Sequence, residues 1–261
     1  MHLTGYCLSI IIGFSLGLIG GGGSILTIPV LVYFFDIDPA IAATYSLFIV
    51  GLAAVSGSIN QYRMHNIDYK TVLLFGIPSV VVLFIMRKWL VNLMPPVIFH
   101  SGTVVITKAV FIMGVFSVLM LLASWSMIRQ SSYTPAKEKQ SITRLIIQGC
   151  ITGAVTGFIG IGGGFIIVPS LVLFAGLPMK RAIGTSLTII IINCFIGLLG
   201  NLEAVASLNF IFLFSFAALA MLGILIGTWA THFISDKKLK PIFGWIILSM
   251  SIVVFTRVFM H

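Results

Sequence analysis

A glycine cluster followed by a proline occurs twice in this chain, each time inside an apolar segment. The first copy, GLIGGGGSILTIP, covers residues 17–29, and the second, GFIGIGGGFIIVP, covers residues 157–169. Each glycine weakens a helix by about 1 kcal/mol relative to alanine. Irregular backbone at membrane depth persists only where protein or a polar cavity surrounds it. We therefore predict that both clusters are broken helices bordering a binding site.

The composition is that of a membrane protein. Of the 261 residues 59% are hydrophobic and 8% are charged, whereas soluble domains carry about 25% charged residues. Long apolar runs between short polar stretches predict an all-α polytopic membrane protein with the lipid bilayer as a partner. The net charge of +9 fits the excess of Lys and Arg in cytoplasmic loops better than nucleic-acid binding, which we do not expect. The three cysteines lack CxxC spacing, so no metal site, disulfide or cofactor is predicted.

The apolar segments divide the chain into two halves. The first, residues 1–128, is predicted to contain a broken hairpin over 7–35 and spans over 40–62, 69–91 and 104–128. A polar linker over 129–144 follows. The second half, residues 145–261, is predicted to contain a broken hairpin over 145–176 and spans over 182–201, 209–233 and 241–260. The connection before residue 104 is expected to lie on the membrane surface.

The two halves repeat one another. From position 13 to position 49 they align without a gap at an offset of 140 residues. Identical pairs include Gly13 and Gly153, Pro29 and Pro169, and Ser46 and Ser186. A shared proline and serine in an unbroken register indicate a duplicated unit.

Length and charge predict how the glycine segments sit in the bilayer. As one straight helix, residues 7–35 would be about 43 Å long, whereas the hydrocarbon core is about 30 Å thick. If both segments enter and leave on one side, 11 Lys and Arg lie inside and 4 outside; if both cross once, the division becomes 7 and 8. The first arrangement agrees with the positive-inside rule. Each half then has a hairpin and three crossings, so we predict two inverted repeats, a known plan of secondary transporters.

The candidate ligands surround the two glycine clusters. A short helix is expected to begin near Ser24 and another near Gly164, and unpaired N–H groups at a helix N-terminus suit an anion. The alternatives are tight packing for the glycines, bonding to their own helix backbone for the hydroxyls, and bonding between helices for the asparagine. No cluster of side chains has catalytic spacing, so no enzyme is predicted. The candidate substrate-binding residues are Gly20, Gly22, Gly23, Ser24, Thr44, Ser46, Gly162, Gly163, Gly164, Thr185, Ser186 and Asn193.

The second half carries a family resemblance. The run over residues 157–169, followed by GLPMKRAIGTSL over residues 176–187, resembles the TauE/SafE sulfite exporters, also called toluene sulfonate uptake permeases. The first half is looser, since Ser24 stands where the second copy has Gly164. The resemblance covers the whole chain and implies a bacterial inner-membrane permease for sulfite, thiosulfate or organosulfonates. The family is broad, so the resemblance does not carry over one particular anion.

Three functions remain open on the sequence. The first is a secondary transporter that binds a small sulfur-containing anion at the midplane, with the linker over 129–144 in the cytoplasm. The second is a channel-like anion pore, because no intramembrane charged residue suggests ion coupling. The third is a non-transporting scaffold or assembly factor. A homo-oligomer and a monomer both remain open.

Overall fold

The computed structural model describes residues 2–90, 95, 97–101, 104–129, 141–159, 164–199 and 208–259. Its elements are helical apart from one pair of strands. The first half contains α1 (His2–Ile19), α2 (Gly22–Phe35), α3 (Pro39–Arg63), α4 (Tyr69–Thr71), α5 (Ile77–Ile85) and α6 (Lys108–Arg129). The second half contains α7 (Ile142–Ile159), α8 (Gly164–Leu173), α9 (Met179–Leu199), α10 (Phe210–Ala230) and α11 (Asp236–Phe259).

Among the described residues, five helices are long and apolar enough to cross a membrane. They lie in α3, α6, α9, α10 and α11, with shorter apolar helices over Gly5–Ile19, Tyr69–Ile85 and Ile142–Phe158. The span predicted over 69–91 is interrupted by π-helical segments at Val72–Gly76 and Met86–Leu90. The last helix begins at Asp236 rather than at 241, and its first turns bury Lys240, which is 6% exposed.

The prediction of an all-α chain is wrong at one place. Residues Val97–Ser101 (β1) and Val104–Thr107 (β2) form an antiparallel two-stranded sheet. The span predicted over 104–128 therefore begins at Lys108. The local sequence explains the difference, because β-branched residues are concentrated in β2 and favour a pleated strand over a helix.

Both glycine segments fold back on themselves. In the first, a Cβ atom added to Gly5, near the start of α1, would overlap the ring of Phe35 at the end of α2. The rings of Tyr6 and Phe35 have centroids 5.9 Å apart. In the second, the hydroxyl oxygens of Thr152 in α7 and Ser170 in α8 are 3.3 Å apart. In a straight helix, residues separated by 18 positions would be about 27 Å apart.

The first helix of each hairpin packs against a helix of the other half. Helix α1 packs along α10 of the second half, and α7 packs along α5 of the first half. The closest contacts are of the same kind, because a Cβ atom at Gly13 would overlap the carbonyl of Ala220, and one at Gly153 would overlap the carbonyl of Ser79. In a bilayer, small residues bring helix backbones together in this way. Neither hairpin is therefore packed only within its own half.

The central pair of helices is α3 and α9. Their spans are each 61% buried, against 24% for the span in α6. Large apolar side chains elsewhere face outward, among them all four tryptophans, which are 60–66% exposed. An apolar outer surface of this kind is suited to lipid. The protein is therefore a multi-pass membrane protein whose hairpins pack around α3 and α9.

Candidate functional site

The first helix break consists of Gly20 and Gly21. The N–H of Gly20 donates to the carbonyl of Leu16 at 2.7 Å and closes α1. Gly20 has a φ angle of +76°, a left-handed conformation that favours glycine. Gly21 caps α2 without a side-chain hydrogen bond. The first N–H groups of α2 therefore have no partner within their own helix.

The two broken helices meet at Gly21 and Gly164. A Cβ atom on Gly21 would overlap the carbonyl of Gly164, and one on Gly164 would lie 2.7 Å from the Cα of Gly21. Gly164 is the first residue of α8, and Gly21 immediately precedes α2. Each helix N-terminus carries roughly half a positive elementary charge. The contact therefore brings two partial positive charges close together.

Ser186 holds the first break in place. Its Oγ lies 2.7 Å from the carbonyl oxygen of Gly20 and 2.8 Å from that of Ile183. A hydroxyl has one proton, so it donates to one of these carbonyls at a time. Ser46 occupies the matched position on α3 and is 1% exposed, and its Oγ has no hydrogen-bond partner in the part of the chain that the structure describes.

Among the predicted ligands that the structure describes, Asn193 is the least satisfied. It is fully buried, and neither atom of its amide has a hydrogen-bond partner among the described residues. It lies two turns after Ser186 and one turn after Ile190, on the same side of α9. The Cδ1 of Ile190 lies 2.7 Å from the Cβ position of Gly164. The side of α9 that faces the helix breaks therefore also carries the amide of Asn193.

Thr185 is not directed to the breaks. Its Oγ1 accepts a hydrogen bond from the N–H of Asp68 at 3.0 Å. The hydroxyl of Tyr45, at the matched position on α3, accepts one from the N–H of Asn209 at 2.6 Å. Asp68 and Asn209 are the N-caps of α4 and α10, so each hydroxyl forms a hydrogen bond with the backbone at the start of a helix. Thr44, the remaining candidate on α3, is fully buried.

The other predicted glycines have separate roles or lie outside the described residues. A Cβ atom on Gly23 would lie 2.6 Å from the Cβ of Leu16, so Gly23 lets α2 pack against α1. Gly22 and Ser24 lie in the first turn of α2, and their surroundings are not among those described. Gly162 and Gly163 also lie outside the described residues.

Gly21 is the residue that the sequence reasoning missed. The repeat aligns Gly21 with Ile161, and this mismatch hid its role. The signal that could have revealed it is the unbroken run of four glycines over 20–23. A run of this length allows a second backbone to approach.

The groups that the structure describes at the breaks are uncharged. N–H groups of two helix starts and the amide of Asn193 can donate hydrogen bonds to oxygen atoms. In the part of the chain that is described, no group of three or more His, Cys, Asp or Glu side chains could hold a metal ion.

The family model described as "Sulfite exporter TauE/SafE" matches residues 6–254. The chain belongs to this family. A protein of Xylella fastidiosa (strain 9a5c) named "Probable membrane transporter protein" is 29% identical over 263 residues, which cover 95% of this chain and 92% of the relative. The "Probable membrane transporter protein MJ0441" of Methanocaldococcus jannaschii is 28% identical over 208 residues, covering 76% of this chain and 72% of the relative. No solved structure matches the chain.

Membership of the TauE/SafE family establishes the general class of activity. The protein is a membrane transporter and not an enzyme. The resemblance read from residues 157–169 and 176–187 is therefore confirmed. Membership of the TauE/SafE family also excludes the non-transporting scaffold that the sequence left open.

Proposed function

We propose that this transporter moves a small sulfur-containing anion, such as sulfite, thiosulfate or an organosulfonate, across the bacterial inner membrane. The anion binds at the midplane, beside the place where the N-termini of α2 and α8 meet. The observation that carries the proposal is the contact between Gly21 and Gly164, which brings two positive helix ends together. An anion beside this contact offsets the repulsion of the two ends and accepts hydrogen bonds from their N–H groups.

The amide of Asn193 supports the same ligand. A buried polar group without a hydrogen-bond partner costs about 1–3 kcal/mol. Asn193 is fully buried without a partner in the described part of the chain, and it lies on the side of α9 that faces the breaks. An oxyanion would accept a hydrogen bond from its Nδ2 atom. The hydroxyl of Ser46 is a second donor of this kind, while Ser186 positions the carbonyl of Gly20.

We also propose that the halves are inverted repeats, residues 1–128 and 145–261. The exchanged packing supports this relation, because the pairs Gly13 and Ala220, and Gly153 and Ser79, are equivalent under an exchange of the halves. Two hydrogen bonds form a second equivalent pair. The N–H of Asn209 donates to the hydroxyl of Tyr45, and the N–H of Asp68 donates to the hydroxyl of Thr185. The 11 to 4 division of Lys and Arg then assigns the linker over 129–144 to the cytoplasm.

Transport in proteoliposomes tests the proposal. Vesicles with purified protein should accumulate radiolabelled sulfite or thiosulfate, and uptake should saturate with concentration, as expected of a carrier and not of a pore. Unlabelled organosulfonates should compete. Uptake equal to that of empty vesicles across a panel of sulfur and carboxylate anions would contradict the proposal. Transport of a carboxylate alone would retain the site and replace the substrate.

A further inference from the structure

We propose that the anion reaches this site along a hydrated polar pathway on α7, open on the side of the membrane that carries Arg144. The inference rests on the proposed function and adds the route and the residues that line it. The residues are Ser79, Gln148, Thr152, Thr156 and Ser170, and we refer to them as the polar stripe.

The polar stripe runs from the start of α7 towards the second glycine segment. Gln148, Thr152 and Thr156 are spaced by four residues and therefore lie along one side of the helix. Helix α7 begins at Ile142, close to Arg144, and ends at Ile159, within the glycine cluster over residues 157–169. The stripe therefore connects one membrane face with the region where the breaks meet.

The stripe lies between helices and not towards lipid. Thr152 and Thr156 are 3% and 2% exposed, and the Oγ1 of Thr152 lies 3.3 Å from the Oγ of Ser170 on α8. On the adjacent side of α7, Gly153 abuts the backbone of Ser79 on α5. The stripe therefore follows the junction of α5, α7 and α8.

Two of its polar groups are unsatisfied. The Oγ of Ser79, in a fully buried residue, and the Oε1 of Gln148 have no hydrogen-bond partner among the described residues. If these side chains served only to hold helices together, they would be paired with one another. Buried polar groups left unpaired by protein are usually satisfied by ordered water. We therefore infer water along this junction.

The packing does not require the polarity, because the matched positions in the other half are apolar. At the offset of 140 residues, Gln148, Thr152 and Thr156 correspond to Leu8, Ile12 and Leu16. Ser170 corresponds to Val30, and Ala220 meets Gly13 as Ser79 meets Gly153. At these positions the same backbone arrangement carries polar side chains in one half and apolar side chains in the other. Only the polar set offers hydrogen bonds to water there.

Thiol labelling tests the pathway. In a background in which Cys7, Cys150 and Cys194 are replaced by alanine, Thr152→Cys is compared with its matched control Ile12→Cys. The probe is a methanethiosulfonate that carries a sulfonate, applied to vesicles of known orientation. We expect Thr152→Cys to react at least tenfold faster than Ile12→Cys, and only when the probe is on the side of Arg144. Equal rates, or faster reaction from the opposite side, would overturn the inference.

A second pair of cysteine variants tests the pathway if a variant of the first pair does not fold. Ser79→Cys and Ala220→Cys lie at equivalent glycine contacts, and the same difference in rate is expected. Labelling does not require transport, so the two proposals can fail separately. A reactive Thr152→Cys in a protein that transports no sulfur anion would contradict the proposed substrate alone. Saturable anion transport with an unreactive stripe would contradict the pathway alone.

Discussion

Gly21 and Gly164 lie backbone against backbone, so neither position has room for a methyl group. They come from segments 143 positions apart in the chain, and each lies at the start of a helix, where the helix carries its partial positive charge. This contact fixes the distance between the two helix starts. Its consequences for stability and transport can be measured separately.

Replacing Gly21 by alanine should destabilise the protein and abolish transport. The added Cβ overlaps the carbonyl of Gly164, and overpacking of this kind costs about 1–3 kcal/mol. The φ angle of Gly21 is −174°, so backbone strain does not contribute. The matched control is Gly114→Ala on α6, where the added Cβ would meet no atom of the described residues beyond its own stretch of helix. We expect a lower melting temperature only for Gly21→Ala, and an unchanged melting temperature would argue against the contact.

Replacing Asn193 by leucine should uncouple stability from function. The change removes a buried amide that has no partner in the described part of the chain, so the free energy of unfolding should rise by about 1 kcal/mol. Anion uptake should nevertheless fall at least tenfold, because a donor is lost. Uptake at the rate of the unmodified protein would remove Asn193 from the site.

The same substitution at Asn60 provides the control. Its Nδ2 donates to the Oγ1 of Thr228 at 2.7 Å and links α3 to α10. Asn60→Leu removes this hydrogen bond and should lower the free energy of unfolding by about 0.5–1.5 kcal/mol. Thermal denaturation of both variants in the same detergent shows whether the free energy of unfolding rises for Asn193→Leu and falls for Asn60→Leu.

Ser186→Ala and Ser46→Ala should differ although the serines occupy matched positions. Ser186 donates to the carbonyl of Gly20, so its loss should lower the free energy of unfolding by about 1 kcal/mol and loosen the first break. Ser46 has no hydrogen-bond partner among the described residues, so its loss should change stability less and anion affinity more. Equal changes in melting temperature would show that the two serines share one structural role.

Cysteines at positions 38 and 181 should label from opposite sides of the membrane. Asp38 follows the first hairpin, Arg181 follows the second, and both are exposed. Inverted repeats place the ends of the two hairpins on opposite faces. An impermeant thiol reagent in intact cells should modify Asp38→Cys, and Arg181→Cys only after permeabilisation. Labelling of both from one side would contradict the inversion.

The predicted segments overlap the observed helices because apolar runs depend on local chemistry. The spans predicted over 40–62, 182–201 and 209–233 overlap α3, α9 and α10, and the hairpins predicted over 7–35 and 145–176 overlap α1 with α2 and α7 with α8. The strands β1 and β2 were missed because a short run of β-branched residues within an apolar segment has no helical or strand periodicity of its own. The burial of Lys240 was missed because it depends on how the first turns of α11 pack.

The candidate site was only partly predictable because the roles of its residues depend on neighbours distant in the chain. Thr185 and Ser186 are adjacent and both buried, yet one fastens Asp68 and the other contacts Gly20. Their directions follow from the 100° step of the α9 helix, but the partner on each side follows from the tertiary packing. The register of the repeat favoured Gly20 and concealed Gly21, whose partner Gly164 is not its equivalent by sequence.

The packing of each hairpin against the other half has a consequence for biogenesis. The hydroxyl of Ser9 donates to the carbonyl of Phe216, a residue 207 positions later in the chain. At about 5–20 residues per second, the ribosome supplies that partner roughly 10–40 s after Ser9 is made. During this interval α1 lies in the membrane without α10 packed against its glycine side, and the insertion machinery or lipid has to shield that side. In a fragment that ends at the linker, α1 would stay without this partner helix.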